Sequence, residues 1–240
     1  MVAIEDFLQQ QAAKIGLALD KNQVSKFVIY YNLLVAGNKK FNLTTICEPE
    51  EAVLKHFVDS LLCATLGLIC GREKVIDVGS GAGLPGIPLK IFYPDIAMVL
   101  LEATQKKAMF LENAVKTLEL AGVEVINDRA ETAGQDAKRR ERFDFAVSRA
   151  VAGVPVLLEY CLPLVRPGGY FLALTGPSVD RKEKMVSNVA PVLGGELSAV
   201  HDFELPCGKG KRKILVYKKV GICAGKYPRR PGIPAKRPLG

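Results

Sequence analysis

Histidine is scarce in this chain: His56 and His201 are the only two in 240 residues. None of the six cysteines (Cys47, Cys63, Cys70, Cys161, Cys207 and Cys223) forms a C-x-x-C pair. That argues against a zinc site, which needs clustered soft ligands. Most of the cysteines sit in apolar neighbourhoods and are expected to be small core residues in a reducing compartment. No apolar run reaches the roughly 18 residues of a membrane span, and the N-terminus lacks the basic and apolar regions of a secretory signal. The expected setting is the cytoplasm, with no membrane and no metal. Acidic residues are missing from one segment in particular. Residues 208–240 hold eleven of the 33 Lys and Arg and none of the 25 Asp and Glu, so the net charge of +8 belongs to the end of the chain. A polyanion such as RNA is the natural partner of such a segment; a merely solubilising tail is the alternative.

The most informative stretch runs from Lys74 to Gly86. Val75, Ile76 and Val78 make a short apolar run of the kind a buried parallel strand requires. Gly79, Gly81 and Gly83 follow, and then Pro85, which suits the first turn of a helix. Strand, glycine turn and helix form the unit that cradles a nucleotide-like ligand, because glycines admit positive φ and let a ligand approach bare backbone. Gly81 to Gly86 satisfies G-x-G-x-x-G, a weak signal by itself. A second strand, Ile96–Leu101, ends in Glu102, about 20 residues on, where a carboxylate grips the ribose hydroxyls of a nucleoside. The plainer alternative is that Glu102 starts a helix. Two details favour S-adenosylmethionine over a dinucleotide. Asp77 before the first glycine suits a cationic sulfonium and repels a pyrophosphate, and Pro85 removes an N–H that a pyrophosphate would use.

The remaining chain reads as helices followed by alternating strands and helices. Val24, Phe27, Val28, Tyr31 and Leu34 have helical spacing, with Asp20 and Gln23 as a capping box. Residues 37–42 read as a turn, and Pro49 starts a helix carrying Val53, Phe57, Leu61 and Leu62 on one face. His56, Asp59 and Ser60 share that helix, either as a substrate-facing cluster or as a core-edge group. A helix over 104–120 should expose Lys106, Lys107 and Lys116. The third strand, Val123–Asn127, leads into Ala130 and Glu131, candidates for contacts to a base. The fourth, Phe143–Ser148, leads into Arg149, which could pair with Glu102 or Glu131, or hold a cofactor carboxylate or RNA phosphate. A helix over 154–164 should stop at Arg166-Pro167-Gly168-Gly169, before a strand over 170–174. A helix over 179–189, broken by Pro191, precedes strands over 197–205 and 213–217. The chain end is too proline-rich for helix and should gain order only against RNA or the domain body.

The fold class expected is α/β: a doubly wound, seven-stranded, mostly parallel sheet of the class I S-adenosylmethionine-dependent methyltransferase type with an N-terminal helical extension. The parts are the extension (1–66), the cofactor-binding domain (67–220) and a basic proline-rich tail (221–240). The chemistry is narrowed by what is missing. Ser148-Arg149-Ala150-Val151 stands where amine methylation uses a polar-Pro-Pro-aromatic loop. A cysteine nucleophile for pyrimidine C5 has only Pro206-Cys207 to offer, far from the expected site. A ring nitrogen such as guanine N7 needs neither, since its lone pair carries no proton, and orientation does most of the work. A nicotinamide-dependent oxidoreductase and an RNA-binding protein with a vestigial pocket are the rival readings.

Several motifs together resemble the bacterial small-subunit ribosomal RNA guanine-N7 methyltransferases, the glucose-inhibited division protein B family. They are Asn42-Leu43-Thr44-Thr45-Ile46, His56-Phe57-Val58-Asp59-Ser60-Leu61, the stretch from Asp77 to Leu89, Ser148 to Ala152, and the basic tail from Pro228 to Leu239. The resemblance covers almost the whole chain. It implies S-adenosylmethionine as cofactor, with Gly79, Leu84, Ala130, Glu131 and Arg149 matching the family's contacts, to which the residue pattern adds Asp77, Gly81 and Glu102. It makes His56, Asp59 and Arg149 candidates for positioning the substrate. It implies 16S ribosomal RNA as partner, in the small ribosomal subunit or its assembly intermediate, and the charge of the chain end offers Lys209, Lys211, Arg212, Arg229, Arg230, Lys236 and Arg237 to meet it. A monomer is expected. One departure is Thr175-Gly176 after the fifth strand, where the family usually has Lys-Gly.

Overall fold

The computed structural model describes residues 4–41, 43–46, 48–177 and 188–240. Seven strands form one sheet: β1 (Lys74–Val78), β2 (Ala97–Leu101), β3 (Val123–Ile126), β4 (Phe143–Arg149), β5 (Val165–Thr175), β6 (Gly195–Glu204) and β7 (Lys211–Lys219). Their order is β3-β2-β1-β4-β5-β7-β6. Strands β1 to β5 are parallel and β7 is antiparallel to both neighbours. The order reverses between β1 and β4, so the loops leaving their C-terminal ends part and open a crevice where ligands bind in such sheets.

Side chains alternate across a strand, so parity decides which layer each residue meets. Val75 on β1 and Phe145 and Val147 on β4 face a core shared with the N-terminal helices α1 (Ile4–Lys14) and α2 (Lys21–Phe41). Ile76, Val78 and Ala146 face the opposite layer, which includes α8 (Val154–Cys161) and the end of the chain. The first layer also takes in α5 (Gly86–Phe92) and α6 (Gln105–Thr117), and the second α7 (Ala130–Gln135). Phe57 is wedged between Phe27 and Tyr30, with ring centroids 5.0 and 5.5 Å away.

The capping box forms as expected: the Gln23 amide donates to Asp20 Oδ1 at 2.8 Å, and the Asp20 amide donates to Gln23 Oε1 at 2.9 Å. Other expectations need correction. The helix does not turn at Gly37 but continues to Phe41. Gly37 is there for contact, since a Cβ would lie 2.7 Å from the Phe110 ring of α6. The helix begun by Pro49 is α3 (Pro49–Ala52), a π-helical stretch (Val53–Val58) and α4 (Asp59–Leu61) in direct succession. Single π turns of this kind are frequent at functional sites.

Arg166-Pro167-Gly168-Gly169 is a bulge inside β5 rather than a helix stop. Val165 pairs with Phe143, and the register resumes at Tyr170 opposite Phe145. Pro191 lies inside the short helix α9 (Val189–Val192), and most of the helix expected over 179–189 lies outside the described residues. The tail is seated on the domain and forms one helical turn, α10 (Ile233–Lys236), with Pro234 in its first turn, where a missing N–H costs nothing. Of the five cysteines described, Cys63, Cys161 and Cys223 are buried, whereas Cys70 and Cys207 are exposed.

Candidate functional site

The glycine loop is held from three sides. The Gly79 and Ser80 amides donate to the Leu101 carbonyl at 2.8 and 3.0 Å, which ties the loop to the end of β2. The Tyr30 hydroxyl, from α2, donates to the Ala82 carbonyl at 2.7 Å. Glu102 accepts from the Gly81 amide at 2.9 Å through Oε2 and from the Thr104 amide at 2.7 Å through Oε1. Gly79, Gly81 and Gly83 have φ of 74°, 59° and 98°, a region costly to other residues. At Gly83 space is also short, because a Cβ would lie 2.4 Å from Ile87. Tyr30 gave no sequence signal beyond its place in a helix. Tyr30→Phe leaves the Ala82 carbonyl without that donor, a loss of about 1–2 kcal/mol. A three- to tenfold weaker affinity for a ligand on this loop is expected by calorimetry, and an unchanged affinity would remove Tyr30 from the site.

Parity puts Asp77 on the α2 side of β1, beneath the loop. It is fully buried, with Oδ2 accepting from the Gly86 amide at 2.9 Å and Oδ1 left without a hydrogen-bond partner. Its expected place facing a ligand is therefore corrected: Asp77 braces the start of α5 and lines none of the site's cavities. The helix-start N–H that an anion would need is already occupied by this carboxylate, which disfavours a pyrophosphate.

Burial pushes the Asp77 carboxyl up to about 7, and burial with the nearby Arg149 charge pulls His56 down to about 4. The two act on stability with opposite signs. From the unfolded value of 3.8 to about 7, native Asp77 keeps a proton the unfolded chain has lost, so its contribution falls as pH rises, by up to ~1.4 kcal/mol per unit. Native His56 is neutral where the unfolded imidazole is charged, so its contribution falls as pH drops from 6.5 to about 4. Asp77→Asn should remove the first slope and expose the second. Chemical denaturation should then show stability rising from pH 4 to 6.5 and no decline toward 7. A variant curve parallel to wild type would refute this.

Three adjoining cavities occupy the crevice. One of about 440 Å³ is lined by Gly79, Gly81, Leu84, Glu102 and Lys107. It shares Gly79, Ala103 and Val151 with a smaller one of about 180 Å³, lined also by Ala130, Glu131 and Tyr160. It shares His56, Arg149 and Ala150 with a larger one of about 690 Å³, lined also by Lys55, Asp59, Thr175 and Arg212. Lys107, expected on an exposed helix face, reaches the glycine loop's cavity instead. Ala150 holds a left-handed conformation (φ 57°) where the two cavities meet, local strain of the kind found at functional sites.

Arg149 pairs with neither Glu102 nor Glu131. Parity on β4 puts it on the N-terminal helices' side, where Nη1 donates to Asp59 Oδ2 at 3.1 Å and to the Lys55 carbonyl of the π-helical stretch at 2.9 Å. Arg212 Nε donates to the same Asp59 oxygen at 3.1 Å, so one buried carboxylate joins two guanidinium groups. His56 Nε2 lies 2.9 Å from Thr44 Oγ1 and Nδ1 has no hydrogen-bond partner. Lys209 reaches Glu51 at 2.7 Å. Thr175 lines the large cavity beside Arg212.

Lys211, Arg230, Lys236 and Arg237 are exposed. Arg229 is not free in the same way: its guanidinium is spent on Glu159 at 2.6 Å.

These residues fit a nucleoside bearing a cationic amino-acid tail. Glu102 retains lone pairs beyond the two it uses for backbone amides, and a Cβ at Gly81 would meet only the Gly79 carbonyl oxygen, at 3.8 Å, which leaves the loop backbone open to a ligand.

Residues 23–214 match the GidB family, described as rRNA small subunit methyltransferase G. The chain is 45% identical over 232 residues to the ribosomal RNA small subunit methyltransferase G of Desulforamulus reducens, covering 97% of each. It is 41% identical over 239 residues to the protein of that name from Pelotomaculum thermopropionicum, covering both in full. Among solved structures it is similar to M. jannaschii TYW2 in complex with AdoMet, with a TM-score of 0.51 and 14% identity over 68% of this chain and 77% of that one. The last likeness concerns the fold.

Proposed function

The chain belongs to the family of the small-subunit ribosomal RNA methyltransferases G, and we propose that it methylates N7 of one guanosine in 16S ribosomal RNA, using S-adenosylmethionine. The observation that carries this reading is the junction at His56, Arg149 and Ala150, where the glycine-loop cavity opens into the large basic one. A donor and an acceptor bound in the two cavities meet there.

S-adenosylmethionine supplies an electrophilic methyl group on a sulfonium. Glu102 would hold the ribose hydroxyls, the Gly79 and Gly81 backbone and Leu84 would line the cofactor's path, and Ala130 and Glu131 would flank the base. Asp77 supports the loop from below. Arg149 lines both cavities and would meet the cofactor's carboxylate or the RNA there. Guanine N7 has no proton to lose, so the site needs no general base. That fits a neutral His56 and an Asp59 already committed to two arginines. Arg149, Asp59 and His56 therefore act by orienting the purine. Lys209, Lys211 and Arg212 line the approach, and Arg230, Lys236 and Arg237 add phosphate contacts from the tail. No helix among the described residues is long and apolar enough to cross a membrane.

The test is mass spectrometry of unmodified small-subunit RNA, offered free and as assembled subunits, after incubation with the protein and S-adenosylmethionine. One new 7-methylguanosine is expected, and the form that carries it identifies the substrate. Bound cofactor with no methylation of either form would overturn the reading.

A further inference from the structure

After β7 the chain turns back across α7 and α8, and its contacts there are specific. Arg229 forks onto Glu159, with Nη2 to Oε2 at 2.6 Å and Nε to Oε1 at 2.8 Å, and its backbone amide donates to Oε1 at 2.8 Å. Glu159 is wholly buried, so this is a closed ion pair, with Arg229 Nη2 also donating to the Arg237 carbonyl at 2.8 Å. Arg140 gathers the carbonyls of Gly134, Tyr227 and Cys223 at 2.9, 2.6 and 2.7 Å. Gln135 donates to the Pro228 carbonyl at 2.8 Å. Pro228 presses so closely on α7 that a Cβ on Gly134 would lie 2.7 Å from it. The Gly232 amide donates to Glu131 Oε1 at 2.8 Å.

Glu131 and Tyr160, the residue after Glu159, line the smallest cavity together. The tail thus grips the two helices that build one wall of that cavity, at a wall residue on α7 and beside a wall residue on α8. From this we infer that the C-terminal segment is a working part of the cofactor site: Arg229 and the Gly232 amide are positioning groups that hold Glu131 and Tyr160 for the nucleoside. Arg229 is then not an RNA contact. The inference rests on the reading of this cavity as the nucleoside end.

Coupling between two sites is reciprocal. Whatever the tail does for the cofactor, the cofactor does for the tail. In the full wild-type chain, S-adenosylhomocysteine should slow amide hydrogen exchange at Arg229 and Gly232 about fivefold or more. Arg229→Ala should weaken S-adenosylhomocysteine binding by a similar factor in calorimetry without RNA, and Arg229→Lys should restore part of it. If Arg229→Ala does not fold, the wild-type exchange measurement decides. Ligand binding that leaves tail exchange unchanged overturns the inference. Binding that survives Glu102→Ala undiminished overturns instead the reading of the cavity beneath it.

Discussion

Replacing Glu102 by alanine should raise the Kd for S-adenosylmethionine on the order of 100-fold or more. Each hydrogen bond to a charged group contributes about 1.5–3 kcal/mol, and a ribose presents two hydroxyls to one carboxylate. The substitution also removes the acceptor of the Gly81 and Thr104 amides, so the loop loses its tie to the start of α6. Glu102→Gln keeps the shape and an acceptor while losing the charge, and its affinity should fall between the two. Calorimetry at pH 7 reads both. An alanine variant within fivefold of wild type would show that Glu102 is only a brace for the backbone.

Asp59→Asn should reduce the methyl-transfer rate on the order of 100-fold and lower stability by about 3 kcal/mol. The carboxylate is the only acidic partner recorded for both Arg149 and Arg212 among the described residues, and it is buried beside them. Removing one partner of a buried ion pair costs about 3–5 kcal/mol because the other charge is left without compensation. The low end applies, since Arg149 keeps its bond to the Lys55 carbonyl and Arg212 is partly in contact with water. The rate should fall further than cofactor affinity, because a misplacement of about 1 Å in the groups that orient a substrate is enough for a 100-fold loss. Single-turnover rates at saturating cofactor, measured beside thermal unfolding, separate the two effects. A normal rate in a destabilised protein would make the Asp59 cluster structural only.

Tertiary geometry redirected several residues that local patterns had marked. Glu102 could be placed beside the glycine loop from the sequence, because the second strand of such a sheet ends next to the first, but its bonds to the Gly81 and Thr104 amides came only with the fold. Asp77 was marked for the same loop but sits under it, since its position on β1 makes it face α2. The proline-rich tail reads as a segment that gains order only against RNA or the domain body, and it is the domain body that buries Tyr227, Pro228 and Pro234. Composition registers backbone propensity and charge, and is blind to a wholly buried Glu159 waiting 70 residues upstream for Arg229.

By itself the sequence determined the fold class, the strand–glycine–helix unit, the capping box and the basic end of the chain. All four depend on neighbours within a few residues, on side-chain period or on composition, which a linear string records directly. Only the tertiary structure decided which charges meet. Asp59 meets Arg149 across 90 residues and Arg212 across 153, and Glu131 reaches Gly232 across 101. Such pairings follow from strand order and side-chain parity in a sheet whose order reverses between β1 and β4. They exist only once that sheet has formed.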